Sequence, residues 1–334
     1  MKALVLHAPQ NLAYEPDWAE PDVPDGWAVV KIHASGICGS DLPRIMQTGA
    51  YHHPMIPGHE FSGKVIEGGG SSYPAGTRVA VLPIIPCGQC EGCRVGPFHC
   101  THYDFIGSRR DGGYSQHCAV PTRNLFHLPR MLSYPEGAFI EPIAVTLHVI
   151  RRSGLIPGAR VLIYGAGAIG ILTAQWAAVM GASDIYLADV RDESLEIAAK
   201  CGIEHTINPR SAAFDSLGDF DFVYEAAGST TALLSAIEKA AARGTMTVVG
   251  REVKDTVIPL ALFERLMRKE LSIHGCWGYD LKGDTDLVYQ TLEQKLLTLA
   301  PMITHQLDLK DGPSFIEGMW NKAFFYCKVQ FVIS

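Results

Sequence analysis

The 334-residue chain has no apolar run long enough to span a membrane, so it is not expected to enter one. It also lacks an excess of positive charge. Its 28 Lys and Arg face 35 Asp and Glu, for a net charge of −7. With no basic field and no basic and aromatic clusters to hold phosphates or bases, nucleic acid is not expected as the main partner. The first residues carry one early Lys and a short apolar stretch interrupted by His7 and Pro9. They read as a strand rather than a secretion signal, and the cytoplasm is the expected compartment. No internal repeat or low-complexity tract is present.

Cysteine is the first positive signal. Cys87, Cys90, Cys93 and Cys100 fall within one short, glycine-rich segment. In a reducing compartment such thiols are not expected to pair as disulfides. Four thiolates brought together by tight turns can surround a zinc ion tetrahedrally. An iron–sulfur cluster is the competing occupant, although ferredoxin-type runs have a shorter last interval that ends in Cys-Pro. Four filled positions leave none for a reactant, so this site is expected to be structural. Cys118, Cys201, Cys276 and Cys327 have no metal-ligand spacing and read as core thiols.

The pattern of elements changes along the chain. Up to about residue 140, short β-rich runs such as 28–32, 63–66, 78–82 and 114–120 alternate with Gly- and Pro-rich breaks. This predicts a barrel-like or irregular β domain. Beyond Ile156-Pro-Gly158 strands and helices alternate: strands over 160–164, 184–188, 220–225 and 244–249, with helices over 168–180, 192–201 and 230–242. Such alternation predicts a doubly wound parallel sheet with helices on both faces. A helix over 285–297 and a strand over 328–333 follow, the strand expected to return to the first domain.

Gly165-Ala-Gly167-Ala168-Ile169-Gly170 follows the predicted strand 161–164 and opens a helix. The first glycine allows a tight turn, the second lets backbone approach a pyrophosphate, and the third lets helix and strand pack closely. Asp189, at the end of the next strand, is placed to accept the adenosine ribose hydroxyls and to repel a 2′-phosphate. NAD(H) is therefore expected over NADP(H), with Arg191 as the one nearby residue that could accommodate a phosphate.

Two segments of the β domain, Gly36-Ile-Cys38-Gly-Ser40-Asp41 and Gly58-His59-Glu60, offer a thiolate, an imidazole and a carboxylate, and Glu141 offers another carboxylate. Such a set can hold zinc with a position open to substrate oxygen. Each residue alone also has an ordinary reading, as a small buried hydrophobe, a loop histidine or a solvated acid.

Taken in order, GICGSD, GHEFSG, the four-cysteine segment, the Glu141-Pro142 pair, GAGAIG with its downstream Asp, and the C-terminal return resemble the zinc-dependent medium-chain alcohol and polyol dehydrogenases over nearly the whole chain. Segments 39–45, 103–113 and 137–143 are most similar to members acting on a hexitol phosphate such as galactitol 1-phosphate. The resemblance implies a GroES-like catalytic domain over 1–142 and 279–334 and a Rossmann coenzyme domain over 143–278. It implies one catalytic and one structural zinc per chain, NAD(H), and assembly as a homodimer or homotetramer. Cys38, His59, Glu60 and Glu141 match the catalytic-zinc positions. Ser40 matches the hydroxyl at the reacting oxygen, and Asp41 the residue that orients His59. Two departures stand out. Pro43 replaces a His that relays a proton in many relatives, and Cys93 and Cys100 are one residue closer together than usual.

Arg44, Arg109 and Arg110 are the candidates for binding a substrate phosphate, because guanidinium forks match its geometry. An unphosphorylated sorbitol- or xylitol-type polyol, or a threonine-type substrate, is the alternative within the class. A non-catalytic zinc- and nucleotide-binding protein is the alternative outside it.

Overall fold

The computed structural model describes residues 1–252 and 254–334, which divide into two compact units, Met1–Glu141 with Ile303–Ser334, and Pro142–Met302. The first is organised around one long strand, Trp27–Ile37. It is buried over most of its length, with Val30 and Ile32 in the core beside Leu4, Phe61, Val65, Tyr114 and Phe331. One edge of this strand pairs antiparallel with Glu60–Gly68. The other edge is shared by His117–Pro121, opposite residues 27–31, and by the C-terminal strand Lys328–Val332, opposite residues 34–37. The expected return of the chain end is thus a main-chain ladder across nearly 300 residues of sequence. Strands Arg78–Val81, Leu125–His127 and Ile303–Leu307 complete the sheet.

Among the described residues, the second unit holds six strands, all parallel, in the order His205–Ile207, Asp184–Ala188, Arg160–Tyr164, Phe220–Glu225, Ala240–Val248, Ser272–Gly275. The order reverses beside Arg160–Tyr164, the switch point where open α/β sheets bind ligands. Helix Ala168–Val179 follows that strand and is almost wholly buried, with Trp176 donating to the Ile143 carbonyl at 3.1 Å.

Two expected helices end three or more residues before their patterns do. The one from Thr230 ends at Lys239, not Ala242. Although alanines 240–242 favour a helix, Ala240 is fully buried and pairs with Phe220, so sheet formation overrides propensity. The helix from Thr285 ends at Glu293, because Lys295 adopts a positive φ of 56° that no helix can continue. Among the described residues no helix is long and apolar enough to cross a membrane.

Gly170 marks the closest helix–strand approach, since a Cβ there would run into the Gly165 carbonyl oxygen. A Gly170→Ala variant is expected to lose about 1–3 kcal/mol of stability, measured by urea unfolding.

Candidate active site

Sheet register builds the first site. Gly36 pairs with Glu60, and Ile37 pairs with Val329. The end of the long strand therefore brings together Cys38, just beyond it, Glu60 on one neighbour, and Lys328 on the other. The Cys38 sulfur, a ring nitrogen of His59 and a carboxylate oxygen of Glu60 all lie within 4.8 Å of one another. Gly36 is required here, because a Cβ would collide with the Glu60 carboxylate.

Asp41 is fully buried behind this group. It accepts from Arg44 at 2.8 Å and from the Tyr114 hydroxyl at 2.7 Å. His59 Nδ1 lies 3.3 Å from Asp41 Oδ1, close enough to pair by charge but off the line of a good hydrogen bond. Burial alone would raise the Asp41 carboxyl, yet His59, Arg44 and Tyr114 bring it down to about 2. Burial likewise opposes a charged His59, and Asp41 and Cys38 outweigh it, lifting its pKa well above the ordinary range. The cluster thus favours a positive charge at His59. Its thiolate, imidazole and carboxylate donors suit zinc. Ser40, exposed to solvent, donates its hydroxyl to the Cys38 sulfur at 3.2 Å.

Glu141, in the first turn of helix Ile140–Ser153, is buried but is not one of the three donors within 4.8 Å. Burial pushes its carboxyl up to about 7, with Glu60 adding to that and His59 and Lys328 opposing it. Lys328 has no counterpart in the sequence reading. Its ammonium donates to both Glu60 oxygens, at 2.9 and 2.7 Å, in a pair almost wholly removed from water. The available signal was one lysine heading an otherwise uncharged strand, Lys328-Val-Gln-Phe-Val.

The second donor group is the four-cysteine lobe, whose sulfurs also lie within 4.8 Å of one another. Cys90 and Cys93 sulfurs are 3.5 Å apart, and Cys90 and Cys100 are 3.7 Å apart. The short interval before Cys100 is closed by a 3₁₀ turn, Pro97–His99, with Pro97 at its first position. Backbone N–H groups of Thr101 and Cys93 bring the Cys90 thiol down to about 5, while burial and the neighbouring thiols push Cys93 up to about 12. Crowded thiols divide their charge in this way, and a central cation would let all four ionise.

In the second unit, Gly165 has a φ of +98° and Gly167 caps helix Ala168–Val179, which places Ala168, Ile169 and Gly170 in its first turn. Asp189 Oδ2 accepts from Ala166 N at 2.8 Å and Oδ1 from Arg191 N at 2.9 Å, so backbone fixes the carboxylate's orientation. A cavity of about 320 Å³ is lined by Gly165, Asp189, Arg210, Ala227 and Ser229. Glu225, also absent from the sequence reading, is buried beneath one wall and accepts from Ala227 N at 3.0 Å and Gly228 N at 2.8 Å.

The three arginines differ in their partners. Arg44 is paired with Asp41, and Arg110 with Asp104 at 2.6 Å. Arg109 instead sits between the rings of Tyr51 and Tyr103.

These features fit an oxidoreductase whose β unit carries candidate zinc donors and whose α/β unit carries a nucleotide-type glycine turn. Family models agree: "Alcohol dehydrogenase GroES-like domain" matches residues 24–130 and "Zinc-binding dehydrogenase" matches 168–294. The chain belongs to the zinc-dependent alcohol and polyol dehydrogenase family. Galactitol 1-phosphate 5-dehydrogenase of Escherichia coli K12 is 35% identical over 291 residues, covering 83% of this chain and 84% of that one. Sorbitol dehydrogenase of Bacillus subtilis is 33% identical over 84% of this chain and 82% of its own length. Among solved structures, galactitol-1-phosphate dehydrogenase from Escherichia coli superposes with a TM-score of 0.90 at 32% identity, over 99% of this chain and 100% of that one. A zinc-binding dehydrogenase from Sinorhizobium meliloti bound to NADP gives 0.91 at 27% identity, over 99% of this chain and 98% of that one.

Two predictions follow from the geometry. Lys328→Met leaves Glu60 buried without its counter-ion and is expected to cost about 3–5 kcal/mol in urea unfolding, while adding Glu60→Gln recovers part of that loss. Cys100→Ser is expected to carry one zinc fewer per chain than wild type, measured by atomic emission on dialysed protein.

Proposed function

We propose that this chain interconverts a secondary hydroxyl of a sugar alcohol, a hexitol phosphate by preference, with the corresponding ketone, using NAD(H). The observation that carries this reading is the meeting of Cys38, His59 and Glu60 at one strand end, with the Ser40 hydroxyl on the Cys38 sulfur. When bound there, zinc supplies a Lewis acid that makes a secondary alcohol easier to deprotonate, and the nicotinamide nucleotide supplies the hydride acceptor.

The chain's own residues supply positioning and a proton path. Cys38, His59 and Glu60 would hold the catalytic metal, with Glu141 as a nearby buried carboxylate, and Cys87, Cys90, Cys93 and Cys100 would hold the structural one. Asp41 keeps His59 oriented, itself fixed by Arg44 and Tyr114. Ser40 Oγ would accept the alcohol proton as its own hydroxyl proton passes on, acting as a relay in this scheme. Because Ser40 is exposed, the proton can pass directly to water, which fits the absence of a relay histidine at Pro43. In the nucleotide unit, Asp189 supports NAD over NADP, since a carboxylate held by two backbone N–H groups cannot turn away from a 2′-phosphate. The relatives include both types: the Sinorhizobium structure holds NADP, and an Escherichia coli L-idonate 5-dehydrogenase at 31% identity is named for NAD(P)(+).

One observation favours an unphosphorylated polyol instead: two of the three candidate phosphate arginines already have carboxylate partners.

Reduction of NAD⁺ and NADP⁺, followed at 340 nm with a panel of polyols and polyol phosphates, tests this reading. Turnover of a hexitol phosphate with NAD⁺ is expected, and no activity on any polyol or phosphate would overturn it. Ser40→Ala is expected to lower kcat by about 10²–10⁴-fold while zinc content stays at the wild-type level.

A further inference from the structure

We propose that Arg109, and neither Arg44 nor Arg110, is the residue that binds the phosphate of the substrate, an inference that rests on the polyol reading above. Arg44 and Arg110 are neutralised by Asp41 and Asp104. Arg109 has no carboxylate partner among the described residues. Its guanidinium carbon stacks 4.0 Å from the Tyr51 ring centroid and 4.3 Å from that of Tyr103. Two rings restrict this guanidinium without cancelling its charge, which leaves the cation to be met by an anion such as a phosphate. The Nε is buried without a hydrogen-bond partner, an arrangement that costs free energy unless something occupies it. Burial opposes the charge, and the two phenols outweigh it and keep Arg109 charged.

The same turn adjoins the candidate zinc ligands. Arg109 N donates to the Phe105 carbonyl at 2.9 Å, and the Phe105 ring packs edge-on against His59 with centroids 5.6 Å apart. Tyr51 is 65% exposed, so one face of the sandwich opens to solvent. His52 Nε2 lies 3.1 Å from the Arg109 carbonyl oxygen and ties the Tyr51 loop to the turn. A phosphate monoester at Arg109 would thus bind a substrate whose other end reaches toward His59.

The alternative is that Arg109 only staples two loops together through its stacked rings. Arg109→Gln and Arg109→Lys, in the full zinc-loaded chain, separate the two. Initial rates with NAD⁺ are measured on galactitol 1-phosphate and on galactitol, and thermal shifts are measured with each compound without NAD⁺. For the phosphate anchor, Arg109→Gln lowers kcat/KM on galactitol 1-phosphate by about 10- to 100-fold, mostly through KM, and leaves galactitol within about threefold. Arg109→Lys restores part of the loss, since it returns the charge without the fork. Galactitol 1-phosphate raises the melting temperature of wild type and not of Arg109→Gln. Equal losses on both substrates, or a phosphate-dependent shift that survives in Arg109→Gln, would overturn the proposal. Wild-type turnover of galactitol without any gain from the phosphate would overturn it too, and would leave the polyol reading standing. The thermal shift reports on phosphate binding even where neither compound is oxidised, so failure of the reaction and failure of the anchor remain distinguishable.

Discussion

A carboxylate shut away from water needs a counter-charge, and in this chain that requirement joins residue 60 to residue 328. Glu60 enters the sheet at the point where the long strand Trp27–Ile37 ends, and Lys328 enters on the opposite edge of the same strand. The pair is a poor device for stability on its own account, because desolvation offsets much of the Coulomb gain. Its effect is geometric. It places the chain terminus against the cluster of Cys38, His59 and Glu60 and fixes the one acid of that cluster through both of its oxygens. Asp41, Arg44 and Tyr114 do the same for His59 from behind. The candidate metal donors are thus held from two sides by charged and hydrogen-bonded partners, of which Lys328, Asp41 and Tyr114 are themselves buried.

The two cysteine-bearing sites follow opposite logics. The lobe of Cys87, Cys90, Cys93 and Cys100 is local: tight turns bring four sulfurs together within one stretch of chain, and the Pro97 turn closes the last interval. It supplies a closed set of identical donors, as structural zinc sites do. The other group is assembled from distant segments, mixes thiolate, imidazole and carboxylate, and has an exposed hydroxyl at its sulfur. Mixed, incomplete donor sets are the ones that can exchange water and substrate. The site with the stronger sequence signature is therefore the one with less chemistry to perform.

In the nucleotide unit, backbone geometry does most of the positioning. Asp189 is oriented by main-chain N–H groups, and Glu225 gathers the N–H groups of the turn at residues 227 and 228 that lines the cavity. Both carboxylates act through fixed backbone donors, so the cavity wall is set before any ligand arrives.

The amino-acid sequence by itself determined the features written at short range: the four-cysteine lobe, the GAGAIG turn with its strand and helix, Asp189 at the next strand end, and the change from β-rich to alternating α/β pattern. Each rests on residues close enough in the chain for spacing to dictate geometry. The individual donors Cys38, His59 and Glu60 were legible too, as residue types in short segments. Their meeting was decided only by the tertiary structure, because it depends on the register in which Glu60–Gly68 pairs with Trp27–Ile37. The same holds for Lys328 and Glu225, whose roles exist only once burial removes water and leaves one partner within reach. Among the arginines, three side chains of equal charge in the sequence became unlike ones in the fold. Carboxylates neutralise Arg44 and Arg110, while aromatic rings hold Arg109 without cancelling its charge.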